Sequence, residues 1–298
     1  MKVKLTLLHI LALAFLFVLP LSASSVANDT LIQAWDTGCI DWSAGIVRVN
    51  GVAAPATIDD GKSPDSPSDI LDAARRMAQS NLLETVSAIR INAVSRVADR
   101  VAQSAAFRDG LTTLARNASL TRQEYLSDGT VEIELTMNLT GGFGQFVLPE
   151  EIRQVDAVTT MIVTEPKADK PSTPANGTDS GPHTGLILDA TGIGAKPSLV
   201  PVVVDESGEV VYGPAFVSRE FAVSRGMSGF ATTLAAARKD KRVGGRPMVV
   251  KAIRTRSTGE TDLVISSADA ARLRSSVVHL NFLKACRVSI VMDPEAGP

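Results

Sequence analysis

The chain is poor in the residues from which most enzyme chemistry is built. Of its 298 residues, two are cysteine, three are histidine and 4% are aromatic, and the formal net charge is −2. Each scarcity removes a class of function. A near-neutral balance sets up no global field for nucleic acid or an anionic membrane, so no nucleic-acid partner is expected. Few aromatics leave little for a stacking platform under sugars or bases. Trp35 and Trp42 lie close together and read as a hydrophobic anchor under the first sheet. No C-x-x-C pair, H-E-x-x-H run or clustered Cys/His pattern occurs, so no metal or cofactor is expected.

His9, His183 and His279 are the whole histidine inventory. A Ser-His-Asp or Cys-His triad would need one of the last two, yet there is no G-x-S-x-G elbow, and neither Ser224-Arg225-Gly226 nor Ser228-Gly229 resembles one. Acids are scattered everywhere, which is no evidence for a paired-carboxylate hydrolase. The expectation is a protein that is not an enzyme.

What is present begins with an address. Lys2 and Lys4 precede an apolar run from Leu5 to Leu19, followed by Pro20 and small residues ending Ser25-Val26-Ala27. This reads as a secretory signal peptide over residues 1–27. The run falls short of the ~20 residues needed to span a bilayer, and no cysteine follows closely enough to be lipidated. An exported protein, periplasmic or outer-membrane-associated, is expected, with no stable membrane insertion after cleavage. In such an oxidising place Cys39 and Cys286 could close a very long loop as a disulfide, or remain two buried thiols, and the sequence leaves both open. If the host is bacterial, the N-x-S/T triplets at Asn28, Asn117, Asn138 and Asn176 carry no meaning.

The stretch "PKADKPSTPANGTDSGPH", residues 166–183, is dense in Pro, Gly, Ser and charge. It cannot bury enough apolar surface to offset the entropy of ordering, and it reads as a linker. The chain therefore divides into a domain over 28–165 and another over 184–298.

In the first domain "GIVRVNGV" suggests a strand ending at Gly51, followed by a helix with Ser68 or Asp69 as N-cap. On that helix Leu71, Ala74, Ala78, Leu82, Val86 and Ile89 recur at steps of three and four, with Arg75 and Arg76 off that face. A second helical stretch, Val94 to Ala115, is interrupted at Asp109-Gly110. Ser127-Asp128-Gly129 then marks a hairpin turn, and Val131, Ile133, Leu135, Met137 and Leu139 alternate with polar residues.

In the second domain Asp205-Glu206-Ser207-Gly208 separates two β-branched runs as another hairpin. A helix within "GFATTLAAARKD", strands "PMVVKAIRT" and "TDLVIS", a short helix N-capped by Ser267, and a closing strand in "KACRVSIVM" follow. The fold class is α+β: two domains, each a small antiparallel or mixed sheet with helices packed on one face.

Three features invite a sharper reading. "LILDATGIGAKPSLVPVVVD" has Gly192 and Gly194 of a phosphate fingerprint, but Pro197 takes the third glycine's place and β-branched residues follow where a helix should start. It reads as a glycine turn between strands. Asp189 before it could be a general base or ligand, though a strand-end aspartate usually caps turn amides. The basic stretch from Arg238 to Arg256, with Lys241 and Arg242, could meet an anionic glycan or acidic partner, or could be a solvated helix end stopped by Gly244-Gly245.

The succession "IVRVNGVAAP", "AARRMAQSNLLETVSAIRIN" and "VEIELTMNLTGGFGQFVLP", residues 40 to 150, resembles the secreted bacterial family containing the N-terminal domain of flagellar assembly protein T and related small outer-membrane lipoproteins. Ala78, Asn81, Leu82, Leu83 and Glu84 carry its "A-x-x-N-L-L-E" core. "TGLILDATGIGAKPSLVPVVVDESGEVVYG" is similar to a region found after such domains in exported Gram-negative proteins. The resemblance implies a non-enzymatic envelope or flagellum-associated role with envelope or appendage proteins as partners. Self-association through an exposed hairpin edge, with the helix near Arg75 and Arg76 as a second surface, completes that expectation. The alternative is a periplasmic hydrolase or small-ligand-binding protein using Asp189.

Overall fold

A computed structural model describes residues 29–55, 66–152, 181–256 and 261–294. The expected signal peptide, most of the expected linker, Asn28 and Asn176 lie outside these residues.

The first unit runs β1 (Ile32–Trp35), β2 (Gly38–Asp41), β3 (Ile46–Ala53), α1 (Pro67–Ser87), α2 (Val97–Gln103), α3 (Ala105–Arg116), β4 (Ser119–Tyr125), β5 (Val131–Asn138) and α4 (Gly142–Val147). Its five strands form an antiparallel sheet in the order β1-β2-β3-β5-β4. The alternation on β5 is as expected: Val131, Ile133, Leu135 and Met137 are buried. Opposite them α1 packs Ile70, Ala74, Ala78, Leu82 and Val86, which recur at helical spacing and are all buried. Ile70 lies on this face, whereas Leu71 only borders it.

Helix and sheet meet most closely at Gly51. A Cβ there would fall on the Ala74 carbonyl oxygen and 2.6 Å from the Ala78 nitrogen. Glycine is required by proximity rather than by turn geometry, which explains why β3 continues through it to Ala53 instead of ending there. The N-cap of α1 is Ser66, not Ser68 or Asp69. Its hydroxyl accepts from the Asp69 N–H while Asp69 reaches back to the Ser66 N–H, and Pro67 takes the first helical position. The second helical stretch breaks at Ser104, not at Asp109-Gly110. Ser104 caps α3 through the Phe107 N–H, and Gly110 stays helical with the Phe146 ring against it.

The second unit runs β6 (Gly185–Asp189), β7 (Val203–Asp205), β8 (Val210–Tyr212), α5 (Arg219–Arg225), β9 (Gly229–Ala231), α6 (Leu234–Lys239), β10 (Pro247–Thr255), β11 (Leu263–Ile265), α7 (Ser267–Arg274), α8 (Val277–Lys284) and β12 (Val288–Val291). Its sheet is mixed, in the order β8-β7-β11-β10-β6-β12-β9. β6 lies parallel to both β10 and β12, so the apolar run Leu186-Ile187-Leu188 is buried on both faces. Leu186 and Leu188 belong to the main core with Phe282 and Leu283 of α8. Ile187 and Val291 form a second, smaller cluster with Ala237 of α6. The short α6 thus adds a helix beyond the expected one-sided packing. The molecule is α+β in two units, and one hydrophobic cluster runs through both.

The turn at Asp205 and the strands around it are as expected. Cap and boundary details differ: Ser266 rather than Ser267 caps α7, β9 precedes the expected helix, and the last strand starts at Val288 because Lys284 still ends α8. The cysteines form no bridge. Cys39 lies on β2 of the first sheet and Cys286 is buried after α8 in the second unit. Burial pushes the Cys286 thiol up to about 11, which leaves it protonated and inert.

Two outcomes test this packing. Gly51→Ala should destabilise the protein by about 1–3 kcal/mol, although alanine is the smallest change available, because the α1 backbone cannot retreat; a denaturant titration reads it. Asp205 accepts from Ser207 Oγ at 2.5 Å, from the Glu209 N–H and from Arg274 at 3.0 Å. The Ser207 hydrogen bond above all holds its pKa at about 2 against an ordinary value of 3.8. Because the folded value is depressed, its stabilisation is fully present above the ordinary value. It is lost as pH falls from there towards about 2, so the acid slope of the melting temperature in that window should flatten in Asp205→Asn.

Candidate functional site: an open sheet edge

Among the described residues β4 is the last strand of the first sheet, and all seven of its residues are exposed. It is held in place by the Ser127-Asp128-Gly129 turn. Gly129 adopts φ +86°, Asp128 Oδ1 accepts from the Thr130 N–H at 2.9 Å, and the Leu126 N–H donates to the Thr130 carbonyl at 2.8 Å. The Thr130 hydrogen bond holds the Asp128 carboxyl below its usual range. Such a turn fixes the register of the hairpin.

That register places Gln123 opposite Ile133 and Tyr125 opposite Val131, on the α1 side of the sheet, and Arg122 opposite Glu134 and Glu124 opposite Glu132 on the outer side. A bulge interrupts the pairing between Leu120 and Arg122. The Thr121 hydroxyl donates to Glu134 Oε1 at 2.7 Å. Glu124 and Glu132 are like charges directly across the ladder, a destabilising juxtaposition. Arg122 reaches Glu124 along its own strand at 3.5 Å. Leu120, Tyr125 and Leu126 remain exposed apolar groups along the same edge.

The other residues singled out in the sequence are not gathered here. Arg75 and Arg76 stand exposed on α1. Asp189 ends β6, where its Oδ1 accepts from the Thr191 N–H at 3.1 Å and the Thr191 hydroxyl at 2.7 Å, and its Oδ2 pairs with Lys251 at 3.2 Å. Burial works to raise its pKa, but the Thr191 and Lys251 hydrogen bonds outweigh it and keep the carboxylate below its usual range. The turn beyond it has Gly192 at φ +79° and Gly194 at φ +66°, is tied down by Asp293 accepting from the Gly192 N–H at 2.6 Å, and leads to strand β7, not a helix.

Lys241 and Arg242 part company although adjacent. Lys241 is exposed. Arg242 turns inward and its guanidinium donates to the carbonyls of Gly226 at 3.0 Å, of Cys286 at 3.4 Å and of Arg225. It lines a small cavity of about 160 Å³ with Trp42 and Phe230, whose rings meet edge to face at 5.4 Å. Trp35 is only partly buried, whereas Trp42 is buried in the core, where it meets a ring of the second unit as well as the first sheet. The junction around it, where Arg219 also donates to the Pro149 carbonyl at 2.8 Å, has no local sequence signature because its residues come from both units.

Among the described residues no cluster of three or more potential metal ligands occurs, and no helix is long and apolar enough to cross a membrane. The split between the two basic residues is measurable: Arg242→Ala leaves three carbonyls without their donor and should cost about 2–3 kcal/mol, whereas Lys241→Ala should leave the melting temperature unchanged.

No curated protein matches the chain. Residues 185–294, which begin at β6 and contain all seven strands of the second sheet, match the family described as the second domain of Treponema pallidum Tp0624, and it is to that domain that the C-terminal unit is similar.

Proposed function

We propose that this is an exported, non-enzymatic binding or assembly protein of the bacterial cell envelope, periplasmic or outer-membrane-associated, that engages envelope or appendage proteins by strand addition at β4. The observation that supports it most directly is the seven-residue edge strand exposed along its full length. An unpaired edge offers a row of N–H and C=O groups that a partner's extended segment completes, with affinity from the main chain and selection from alternate side chains. The export signature of residues 1–27 supports the location. A flagellum-associated role is the narrower form of this reading and rests on the resemblance over residues 40 to 150. Arg75 and Arg76 offer a second, electrostatic contact on the same unit. The alternative built on Asp189 has less behind it, because that carboxylate is engaged by Thr191 and Lys251 at the end of a strand.

Gln123→Pro tests the reading without breaking the hairpin. Pairing alternates along an antiparallel strand, and the Leu126 N–H faces β5, so the Gln123 N–H faces outward. Proline there removes a donor only from the free edge. In the native host the variant should fold and be exported normally but be lost from the envelope fraction that retains the parent; undiminished retention would count against strand addition.

A further inference from the structure

The same alternation fixes which groups β4 presents outward, and with them a specific partner. Since Leu126 turns its backbone towards β5, so do Glu124 and Arg122, while Gln123 and Tyr125 turn N–H and C=O to the open side. Between the bulge at Leu120/Arg122 and the turn, the regular stretch is therefore short, and Gln123 and Tyr125 are its two outward-facing residues. We infer that a second copy of this chain adds to this edge, β4 antiparallel to β4, about a two-fold axis passing beside Gln123. This rests on the strand-addition reading and names its occupant.

In this register the two Gln123 residues exchange their backbone hydrogen bonds. Each Arg122 then stands opposite the Glu124 of the second copy, as a pair without mutual backbone hydrogen bonds, the kind in which side chains come closest. The two charges lie on the same outer face in both copies, and the operation makes both contacts at once, as an isologous interface must. The pairing also answers a local imbalance. Within one chain Glu124 faces Glu132 across the ladder and Glu134 lies beside them, with Arg122 as the one cation of the strand. The second copy sets an arginine on the free side of Glu124. A register shifted by one residue would place side chains of opposite faces across from each other, and one shifted so that Arg122 faces Arg122 would oppose like charges.

The test uses the protein purified from its host in analytical ultracentrifugation. A reversible dimer is expected. Arg122→Glu or Glu124→Arg alone should weaken it about tenfold or more, by replacing two attractive pairs with repulsive ones, and the double variant Arg122→Glu/Glu124→Arg should restore it. Neighbouring Cα atoms in a backbone-bonded pair are ~5.5 Å apart, within disulfide reach. Gln123→Cys in a Cys39→Ser background should therefore form a covalent dimer under mild oxidation. A protein that stays monomeric at the highest attainable concentration, or a dimer indifferent to both charge reversals, overturns the inference. If the monomeric protein is still held by the envelope and Gln123→Pro releases it, strand addition by another partner stands and this dimer alone fails.

Discussion

How much of the first sheet is buried is decided by the reach of α1. That helix presses on β3 so closely that Gly51 cannot carry a side chain, and its 21 residues lie along β3 and β5 and reach β2 at Thr85. β4 falls outside its cover. The turn at Asp128 nevertheless forces β4 into the sheet next to β5, so its α1-side residues Gln123 and Tyr125 stay exposed together with its outer ones. The open edge is thus a consequence of tight helix–sheet packing combined with a strong hairpin.

The second unit solves the same problem differently. Its central strands run parallel, which requires crossover connections and places helices over both faces. β6 is consequently apolar without alternation. Its mixed sheet and the first unit's antiparallel one are joined by contacts that belong to neither. The Gly141 N–H donates to the Val223 carbonyl, the Leu199 and Val200 N–H groups donate to the carbonyls of Arg90 and Ile91, and Trp42 meets Phe230. With apolar cluster and backbone hydrogen bonds shared, the hairpin is presented from a substantial base.

Local patterns in the sequence sufficed for much of this. The period-two run on β5, the period-3.6 face of α1 and both hairpin turns follow from residue order alone, and so does the Gly192 turn's failure to lead into a helix. The caps shifted by one to three residues because several Ser and Asp residues lie close together and only backbone geometry selects Ser66 and Ser266. The misplaced helix break shows another limit: Gly110 looks like a breaker until Phe146 is seen against it, and Ser104 looks ordinary until it caps α3. β1, α5 and α8 are short and lack clear periodicity. Arg242 looked like part of a surface charge run, and the carbonyls that claim it lie far away in sequence. The edge was legible as a hairpin, but its exposure on both faces depends on where α1 stops, which no local pattern records.

An unpaired edge is a hazard that folded proteins ordinarily blunt with proline, inward charge or a bulge. β4 has one of these devices, the bulge beside Leu120, and it lies at the end of the strand distant from the turn. There it disturbs the ladder and leaves the stretch from Arg122 to Tyr125 regular. Protection at one end and regularity at the other confine pairing to a few residues, and those residues carry one positive and one negative charge on a single face. A short, charge-marked edge rejects most strands it meets, by unpaired or opposed charges. Aggregation through β4 is therefore limited by the same features that select a partner: the bulge sets how far a strand can extend, and Arg122 and Glu124 set which strand fits.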